Sequence, residues 1–542
     1  MTKNPATNGL AVFPRRSYQQ VREQLLAGRE IALLDVREED PHAQAHPLFA
    51  ANLPLGRIEL DAWTKLPRRD VAIVTIDNGE GLAQVAAERL RTLGYTDVAL
   101  FDGGIDGWRA AGGELFRDVN VPSKAFGELV EEEAHTPSLS AEELQALIDA
   151  KANIVILDAR RYDEYHTMSI PGSISVPGAE LALRARAIAP DPSTTIVVNC
   201  AGRTRSIIGT QSLRNAGVPN PVAALRNGTI GWTLAGQQLQ HGQTRVYPED
   251  LEHGQREVGQ TRARALADRA GVQRTDAAGL AALQADAGRT TYCLDVRSPA
   301  EFALGSLAGF RGAPGGQLVQ ETEQFGPVRG ARFVLADDDG VRANLTASWL
   351  RQMNIEVHVV DGLSSLDFKS QQGWSAPLPP LPVVDEVSPA QLAQWLAEDP
   401  VHTVVLDFTS GVNYNKRHVA GAWFALRSDL RAALAKLPGD TRRYVLTCGS
   451  SLLARFASAD LREITGAPVF VLAGGTAAWA EQDLPLETGP TRLASPLIDR
   501  YRRPYEGTDN QREQMQAYLD WEFGLVAQLG RDGTHGFKVL RD

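Results

Sequence analysis

The residues of this chain best suited to nucleophilic chemistry are its cysteines, of which the 542 residues contain three. Cys200, Cys293 and Cys448 lie far apart, with no CxxC pair and no cluster of cysteine and histidine. Neither a disulfide framework nor a zinc site is therefore expected, and we predict no metal. A scarce cysteine is either a small core residue or a working thiol, and its sequence context decides which.

Cys200 follows a short apolar run and precedes a stretch with helical spacing. Ligands of parallel sheets bind at the carboxyl ends of strands, and the N–H groups of a loop can surround a sulfur anion there. Gly202 is expected to adopt unusual dihedral angles in this turn, and Arg203 and Arg205 to add positive potential. The predicted substrate-binding residues of the loop are Ala201, Gly202, Arg203, Thr204, Arg205 and Ser206.

The loop is also expected to lower the pKa of the Cys200 thiol. A free thiol with a pKa near 8.5 is mostly protonated at neutral pH, and lowering that pKa by about two units takes roughly 2.7 kcal/mol. A helix N-terminus supplies about 0.3–1 kcal/mol, and each hydrogen bond from an N–H group to a thiolate about 1.5–3 kcal/mol. These contributions are large enough for a reactive thiolate.

The elements that must position Cys200 recur four times along the chain. In each copy a short β-branched run, typical of a buried parallel strand, ends in an aspartate. A second run ends 42 residues later in three copies and 41 residues later in the fourth. The first runs end at Asp35, Asp158, Asp295 and Asp407, and the second at Asp77, Cys200, Asp337 and Cys448. A third run is followed by an aromatic residue: Trp108, Trp232, Phe368 and Trp479.

Strand–helix–strand units of this kind predict an α/β protein in which each copy is a parallel β-sheet with helices on both faces. We place these four tandem domains, named repeats 1 to 4, at residues 13–116, 136–242, 272–375 and 386–489. Residues 490–542 are expected to form a C-terminal helical tail. The segments 128–137, 243–271 and 376–385 have the composition of linkers.

A helix is predicted in the tail from Thr508, where Gln511 completes a capping-box pattern. Its apolar side would consist of Met515, Tyr518, Leu519 and Leu525. We expect this side to pack on a neighbouring domain, and a contact between the subunits of a homodimer is the alternative.

Four motifs together resemble the rhodanese family. They are a strand ending in LDAR (157–160), a segment such as SIPGSISVPGAEL (169–181), the cysteine loop CAGRTRS (200–206) and the ending DGGIDGW (102–108). The resemblance covers most of the chain. It implies a sulfurtransferase of the thiosulfate type, in which Cys200 carries the sulfur as a persulfide and no cofactor is needed. Arg160, which ends the first strand of repeat 2, joins the predicted substrate-binding residues.

The resemblance is uneven among the repeats. Asp77 and Asp337 occupy the cysteine position of repeats 1 and 3, and an aspartate forms no persulfide. By resemblance these two repeats are inactive copies. Cys293 lies within the first run of repeat 3, where a buried inert thiol is expected.

Repeat 4 keeps its cysteine in the loop CGSSLLA (448–454), which is similar to the mercaptopyruvate sulfurtransferase pattern. The loop contains no arginine, and Thr409 stands where an arginine usually ends the first strand. Cys448 is therefore a second catalytic candidate with Gly449, Ser450 and Ser451 as binding residues, while a relic thiol is the equal alternative. Arg417 and Arg427 are approximate candidates for holding a donor carboxylate.

Composition and charge narrow the function classes. The net charge of −11 disfavours nucleic acid as a partner, and no apolar run is long enough to span a membrane. A small-molecule sulfur donor and acceptor in the cytoplasm are expected. Alternatives are a persulfide carrier or sensor and a binding scaffold. Phosphatase or arsenate reductase chemistry is a remote alternative, because the second loop arginine falls one position short of the C-x5-R spacing.

Overall fold

Four parallel sheets organise the computed structural model, which describes residues 12–249, 253–369 and 374–541. Each sheet has five strands in the same order: the first in the chain lies at one edge, followed by the fifth, fourth, second and third. Helices flank every sheet. The predicted fold class is therefore confirmed, whereas the exact domain boundaries stay predictions.

The first half of the chain contains two sheets and a connecting helix. The strands of repeat 1 are β1 (Arg15–Arg16), β2 (Ala32–Asp35), β3 (Ala50–Asn52), β4 (Ile73–Ile76) and β5 (Val98–Phe101). Its helices are α1 (Tyr18–Leu26), α2 (Glu39–Gln44), α3 (Ile58–Lys65), α4 (Leu82–Thr92) and α5 (Gly104–Ala110), and α6 (Val121–Ala134) leads to repeat 2. The strands of repeat 2 are β6 (Ser138–Leu139), β7 (Ile154–Asp158), β8 (Ile174–Ser175), β9 (Thr195–Asn199) and β10 (Val222–Leu225). Its helices are α7 (Ala141–Asp149), α8 (Tyr162–Thr167), α9 (Leu181–Ile188), α10 (Thr204–Asn215) and α11 (Gly228–Leu234).

The second half repeats this organisation after helix α12 (His253–Ala270). Repeat 3 consists of β11 (Gln273–Thr275), α13 (Ala277–Ala285), β12 (Thr291–Asp295), α14 (Pro299–Leu304), β13 (Arg311–Gly312), α15 (Gly315–Gln320), α16 (Thr322–Phe325), β14 (Arg332–Ala336), α17 (Arg342–Gln352) and β15 (Glu356–Val360). Repeat 4 consists of β16 (Asp385–Val387), α18 (Pro389–Glu398), β17 (Thr403–Asp407), α19 (Gly411–Lys416), β18 (His418–Val419), β19 (Trp423–Phe424), α20 (Leu430–Leu434), β20 (Arg443–Thr447), α21 (Leu452–Arg462), β21 (Val469–Leu472), α22 (Gly475–Glu481) and β22 (Leu486–Glu487). Helices α23 (Arg512–Phe523) and α24 (Leu525–Asp532) follow.

An aspartate–arginine pair fixes the end of the second strand in repeats 1 to 3, next to the central strand. In repeat 2, Asp158 accepts hydrogen bonds from Nε and Nη2 of Arg160 at 2.9 and 2.7 Å, and Arg160 also donates to the Met168 carbonyl at 2.6 Å. Equivalent buried pairs join Asp35 to Arg37 and Asp295 to Arg297. Burying a carboxylate is tolerated here because the guanidinium compensates its charge.

Two of the predicted linkers are wrong. Helix α6 includes most of residues 128–137, and α12 includes most of 243–271. The charged residues that made these segments look solvated are partly buried in ion pairs, as Glu128 is with Arg203 at 2.7 Å. Residues 376–384 contain no helix or strand, as their prolines suggest.

The repeats pack closely on one another. A single hydrophobic cluster extends through repeats 1 and 3, helix α6 and the C-terminal segment, where the Phe126 ring meets those of Trp349 and Phe537. Trp349 of repeat 3 also donates a hydrogen bond to the Ser212 hydroxyl of repeat 2 at 2.8 Å. The repeats therefore form one packed body rather than separate modules on a string.

The tail helix begins later than predicted. Helix α23 starts at Arg512, and Gln511 precedes it without a side-chain capping bond, so the capping box at Thr508 is not formed. Met515, Tyr518 and Leu519 are buried and pack against Ile230 of repeat 2. Leu525 belongs to α24 and is also buried. Throughout residues 12–249, 253–369 and 374–541, no helix has the length and apolar character that a membrane span requires.

Arg427 joins repeats 1 and 4, and its loss should destabilise that interface. Its buried guanidinium donates to Glu59 of repeat 1 and to Asp460 of repeat 4, each at 2.6 Å. Arg427→Ala leaves both carboxylates without this partner, and we expect a loss of about 3–5 kcal/mol in the free energy of unfolding. Chemical denaturation measures the loss, and Arg417→Ala, at an exposed arginine, is the control. Equal stability of the two variants would contradict the prediction.

Candidate functional site

Cys200 lies directly after strand β9 and four residues before helix α10 begins. Its side chain is 1% exposed, and its sulfur lies 3.4 Å from the Ser206 hydroxyl oxygen. That hydroxyl donates to the Arg203 carbonyl at 2.8 Å, which holds the turn closed. The carbonyls of Cys200 and Ala201 accept bonds from the N–H groups of Thr229 and Ile230, which tie the loop to α11.

All four repeats direct the same backbone amide at the residue ending this strand. In repeats 1 and 3, the N–H six residues later donates to the aspartate: Ala83 to Asp77 at 3.0 Å and Ala343 to Asp337 at 2.8 Å. In repeats 2 and 4, hydrogen bonds from the N–H groups of Ser206 and Ala454 act on the cysteine sulfurs.

Burial raises the pKa of the Cys200 thiol, although Arg205 and hydrogen bonds from Ser206 act in the opposite direction. The expectation of a lowered pKa is therefore wrong for this arrangement of the chain. The sequence-based argument summed the favourable loop interactions but omitted desolvation, because the degree of burial was unknown.

Gly202 is needed for a close approach rather than for its dihedral angles. Its φ lies outside the left-handed region, which corrects the prediction. A Cβ at this position would lie 3.2 Å from the Tyr518 ring and 3.3 Å from Glu522 Oε2, both on α23. Burial raises the pKa of Glu522 to about 8, and its Oε2 has no hydrogen-bond partner among the described residues. The tail helix therefore covers the cysteine loop.

The two loop arginines have different surroundings. Arg203 is buried, forms ion pairs with Glu128 and Glu131 of α6, and lies 4.3 Å above the Phe523 ring. These contacts attach the loop to its neighbours and leave Arg203 outside the cleft described below. Thr204 likewise packs on helix α6, against Gly127.

Of the two loop arginines, Arg205 is the one whose charge lowers the pKa of the Cys200 thiol. It forms a bidentate ion pair with Glu164, with distances of 2.7 and 2.9 Å. Although burial favours the protonated carboxyl, Arg205 holds the pKa of Glu164 at about 2. Arg205 and Arg160 both line a cleft of about 300 Å³ at the carboxyl end of the sheet, so the structure brings these two predicted residues together.

Glycine at the start of α11 allows that helix to approach the cysteine loop. Gly228 has a positive φ of 53°, and a Cβ there would lie 2.3 Å from the Cys200 carbonyl oxygen. Gly475 has the same relation to Cys448 in repeat 4. The glycine that lies four residues before the aromatic residue, Trp232 or Trp479, is thus explained by close packing.

The Cys448 loop holds its sulfur by backbone amides. The side chain is 6% exposed, and burial raises the pKa of its thiol against hydrogen bonds from the N–H groups of Ala454, Ser450 and Leu453. Ser451 adopts a positive φ of 65°, and its hydroxyl donates to the Ser450 carbonyl at 2.6 Å. Gly449 and Ser450 are exposed, so this loop is open to solvent on one side.

Of the other candidates, Arg427 is committed to the ion pairs with Glu59 and Asp460, which does not suit a donor-binding role. Arg417 is exposed and remains a candidate. Cys293 is partly buried in β12, where burial raises the pKa of its thiol and Gln284 Nε2 lies 3.7 Å away. Within the described parts of the chain, no group of three or more histidine, cysteine, aspartate or glutamate side chains could hold a metal ion.

Sequence reasoning missed Glu164, Glu128 and the contact of Tyr518 and Glu522, on the predicted tail helix, with the cysteine loop. Glu164 could have been found from the sequence, because it lies six residues after Asp158, as Glu301 does after Asp295. Glu301 pairs with Arg342 in repeat 3 at 2.7 and 2.9 Å, at the position equivalent to Arg205. No repeated pattern indicates α6 or α23, since neither helix belongs to a repeat.

The chain is similar to a known protein family and to solved structures. The Rhodanese-like domain family matches residues 17–111, 140–235 and 388–482, and does not match repeat 3. A crystal structure of thiosulfate sulfurtransferase from Pseudomonas aeruginosa is 66% identical, covers 97% of this chain and 100% of that chain, and gives a TM-score of 0.96. A rhodanese-related protein from Thermoplasma volcanium is 20% identical over 19% of this chain and 97% of that chain, with a TM-score of 0.17. No curated protein matches.

Asp407 of repeat 4 should make the stability of that repeat depend on pH. Thr409 replaces the arginine found in the other repeats, Asp407 Oδ2 has no hydrogen-bond partner among the described residues, and burial raises its pKa to about 7. The pKa of Asp407 is higher in the folded protein than in the unfolded chain, where it is near 4. Its contribution to stability is therefore fully present below about pH 4 and is lost as the pH rises through about 7. The full loss is roughly 4 kcal/mol.

Thr409→Arg should restore the ion pair and flatten this dependence, whereas Thr409→Ala should keep it. Hydrogen exchange of the β20 amides at several pH values, corrected for intrinsic exchange, measures the local stability of each variant. An unchanged pH slope in Thr409→Arg would show that Asp407 is not its source.

Proposed function

The chain belongs to the rhodanese family, and from this premise we propose that it is a sulfurtransferase working at Cys200. The donor is thiosulfate or a similar compound with an anionic group, and the acceptor is a thiol or, in assays, cyanide. The 66% identical crystal structure is that of a thiosulfate sulfurtransferase, and the likeness covers nearly the whole chain. The observation that carries the assignment to Cys200 is a cysteine held in an anion-receiving turn beside an arginine-lined cleft.

The first step transfers sulfur from donor to enzyme. The Cys200 thiolate attacks the outer sulfur of thiosulfate, a sulfur–sulfur bond forms, and the bond to the sulfite group breaks. Sulfite leaves with the electron pair of that bond, and a persulfide anion remains on Cys200. The N–H group of Ser206 is proposed to stabilise this charge, as the equivalent N–H of Ala83 receives the Asp77 carboxylate.

The thiol must lose its proton before this attack, because burial favours the neutral form. An anionic donor that binds near Arg205 competes with Glu164 for the guanidinium. Arg205 then stabilises the sulfite that leaves, since a charge-assisted hydrogen bond is stronger than a neutral one. Arg205 is thus assigned to the donor, and Arg160 positions the strand end through Asp158.

The second step returns the enzyme to its first form. The acceptor attacks the outer sulfur of the persulfide, and the Cys200 thiolate leaves. Cyanide would become thiocyanate, and a thiolate would become a persulfide. The two steps need no metal or organic cofactor, since the cysteine itself carries the sulfur.

Cys448 is proposed as a second centre with a different donor. Its loop offers three backbone amides to the sulfur but no arginine, so a persulfide is accommodated while thiosulfate has little to bind. Repeats 1 and 3 are proposed to be inactive, because their carboxylates occupy the receiving turn and form no persulfide.

The setting of the reaction follows from the same chemistry. A working thiol must stay reduced, which favours the cytoplasm. The partners are small sulfur compounds, and the acidic surface disfavours nucleic acid. A homodimer stays a prediction.

Intact-mass measurement tests the proposal directly. Incubation of the reduced protein with thiosulfate should add one sulfur atom, about 32 Da. Peptide mapping should place it on the peptide that contains Cys200, and cyanide should remove it. Cys200→Ser should abolish the added mass and thiosulfate–cyanide activity, while Cys448→Ser should retain both. Sulfur found on Cys448 instead would move the site to repeat 4, and no sulfur on either cysteine would contradict the enzyme assignment.

A further inference from the structure

The cleft lined by Arg205, in the loop that follows Cys200, is built by four parts of the chain, one of which is Asn120 before helix α6. Repeat 2 contributes Arg160, Glu164 and Arg205, and α15 of repeat 3 contributes Gln317 and Gln320. The remaining wall comes from the C-terminal segment, residues 490–541, through Arg500, Arg503, Tyr505 and Glu506. This segment lies outside the parts of the chain that match the rhodanese-like domain. The repeat pattern therefore gives no account of its role.

The arginines that repeat 2 contributes are already compensated by carboxylates. Arg160 is paired with Asp158 at 2.7 Å, and Arg205 with Glu164 at 2.7 Å. Arg161 is more than half exposed and lies near Asp163 and Glu164. An anionic donor attracted to the cleft must therefore displace a carboxylate or find charge elsewhere.

The C-terminal segment supplies that charge. Arg500 and Arg503 share one carboxylate, Glu506, at 2.6 and 2.9 Å, so the group as a whole carries an excess positive charge. Glu39 of repeat 1 is a second ion-pair partner of Arg503, at the longer distance of 3.7 Å, so the excess charge is that of the C-terminal side chains themselves. The Arg503 side chain is 16% exposed, against 41% for Arg500, and a charge in such a partly buried place is screened less by water.

Arg503 is also held in place by its neighbours. The N–H of Tyr501 donates to Glu39 at 3.1 Å, which ties the segment to α2 of repeat 1. Tyr505 packs edge-on against Tyr518 of α23, at 5.4 Å between ring centres, and the Lys124 ammonium lies 5.6 Å from the Tyr505 ring. A guanidinium on so well packed a segment loses little freedom when it binds an anion.

We propose that Arg503 binds the anionic group of the sulfur donor and so determines the donor specificity of Cys200. The sulfonate end of thiosulfate lies between Arg205 and Arg503, with its outer sulfur toward Cys200. The inference rests on the proposed function and adds a donor-binding residue from outside the repeats. Gln317 and Gln320 line the same cleft.

The test compares two adjacent arginines in a Cys448→Ser background, so that only Cys200 turns over. Arg503→Gln should raise the KM for thiosulfate roughly tenfold to a hundredfold, with kcat changed less, because one charge-assisted hydrogen bond to the donor is lost. Inhibition by sulfite should weaken in parallel. Arg502→Gln is the matched control, since Arg502 is 56% exposed, pairs with Asp509 and does not line this cleft. It should leave all these parameters unchanged.

Further readouts separate donor binding from a structural effect. Arg503→Lys keeps a charge and should restore part of the affinity for thiosulfate. The rate at which neutral iodoacetamide modifies Cys200 should be equal in Arg503→Gln and Arg502→Gln. Equal KM values for Arg503→Gln and Arg502→Gln would overturn the proposal. Faster modification of Cys200 by iodoacetamide in Arg503→Gln, together with the KM effect, would also overturn it, because this result would indicate that the C-terminal segment is displaced. Failure of the proposed function itself is distinct, because the parent protein then forms no persulfide on Cys200.

Discussion

A buried backbone N–H that needs an acceptor sets the design of every repeat. The chain leaves the central strand, turns, and presents the amide of the sixth following residue to the side chain at the strand end. A buried amide without an acceptor costs free energy, so this side chain must be one that accepts a hydrogen bond. Asp77 and Asp337 meet the requirement with a carboxylate, and Cys200 and Cys448 with sulfur. The same turn holds an aspartate side chain in two repeats and a cysteine sulfur in the others.

Burial of the site has opposing consequences. It raises the pKa of the Cys200 thiol and so disfavours the thiolate, yet it strengthens the hydrogen bonds that would hold a persulfide charge. The ion pairs of Arg205 with Glu164 and of Arg203 with Glu128 resolve part of this conflict, because they allow arginine to lie near the loop without uncompensated charge. One of these pairs faces the cleft, and the other fastens the loop to α6.

The sequence predicts what repeats and leaves out what does not. Four sheets, the strand ends and the placement of Cys200 followed from spacing, because a parallel strand and the turn after it are set by local pattern. The sequence does not predict the role of Gly202 or the helix α6, since both depend on surfaces that meet only in the folded chain. The predicted direction of the Cys200 pKa shift is wrong for the same reason, because burial depends on the tertiary structure. Charge-rich composition cannot distinguish a solvated linker from a helix whose glutamates are ion-paired.

The C-terminal segment has a consequence for when the Cys200 site comes into being. Repeat 2 contains its cysteine and its sheet within residues 136–242, but α23 and Arg503 are synthesised only after all four repeats. During translation the ribosome therefore exposes a repeat 2 that has its turn but neither its cover nor its C-terminal wall. The finished cleft appears only with the completed fold, and a chain that stops before residue 500 lacks the wall that Arg503 contributes.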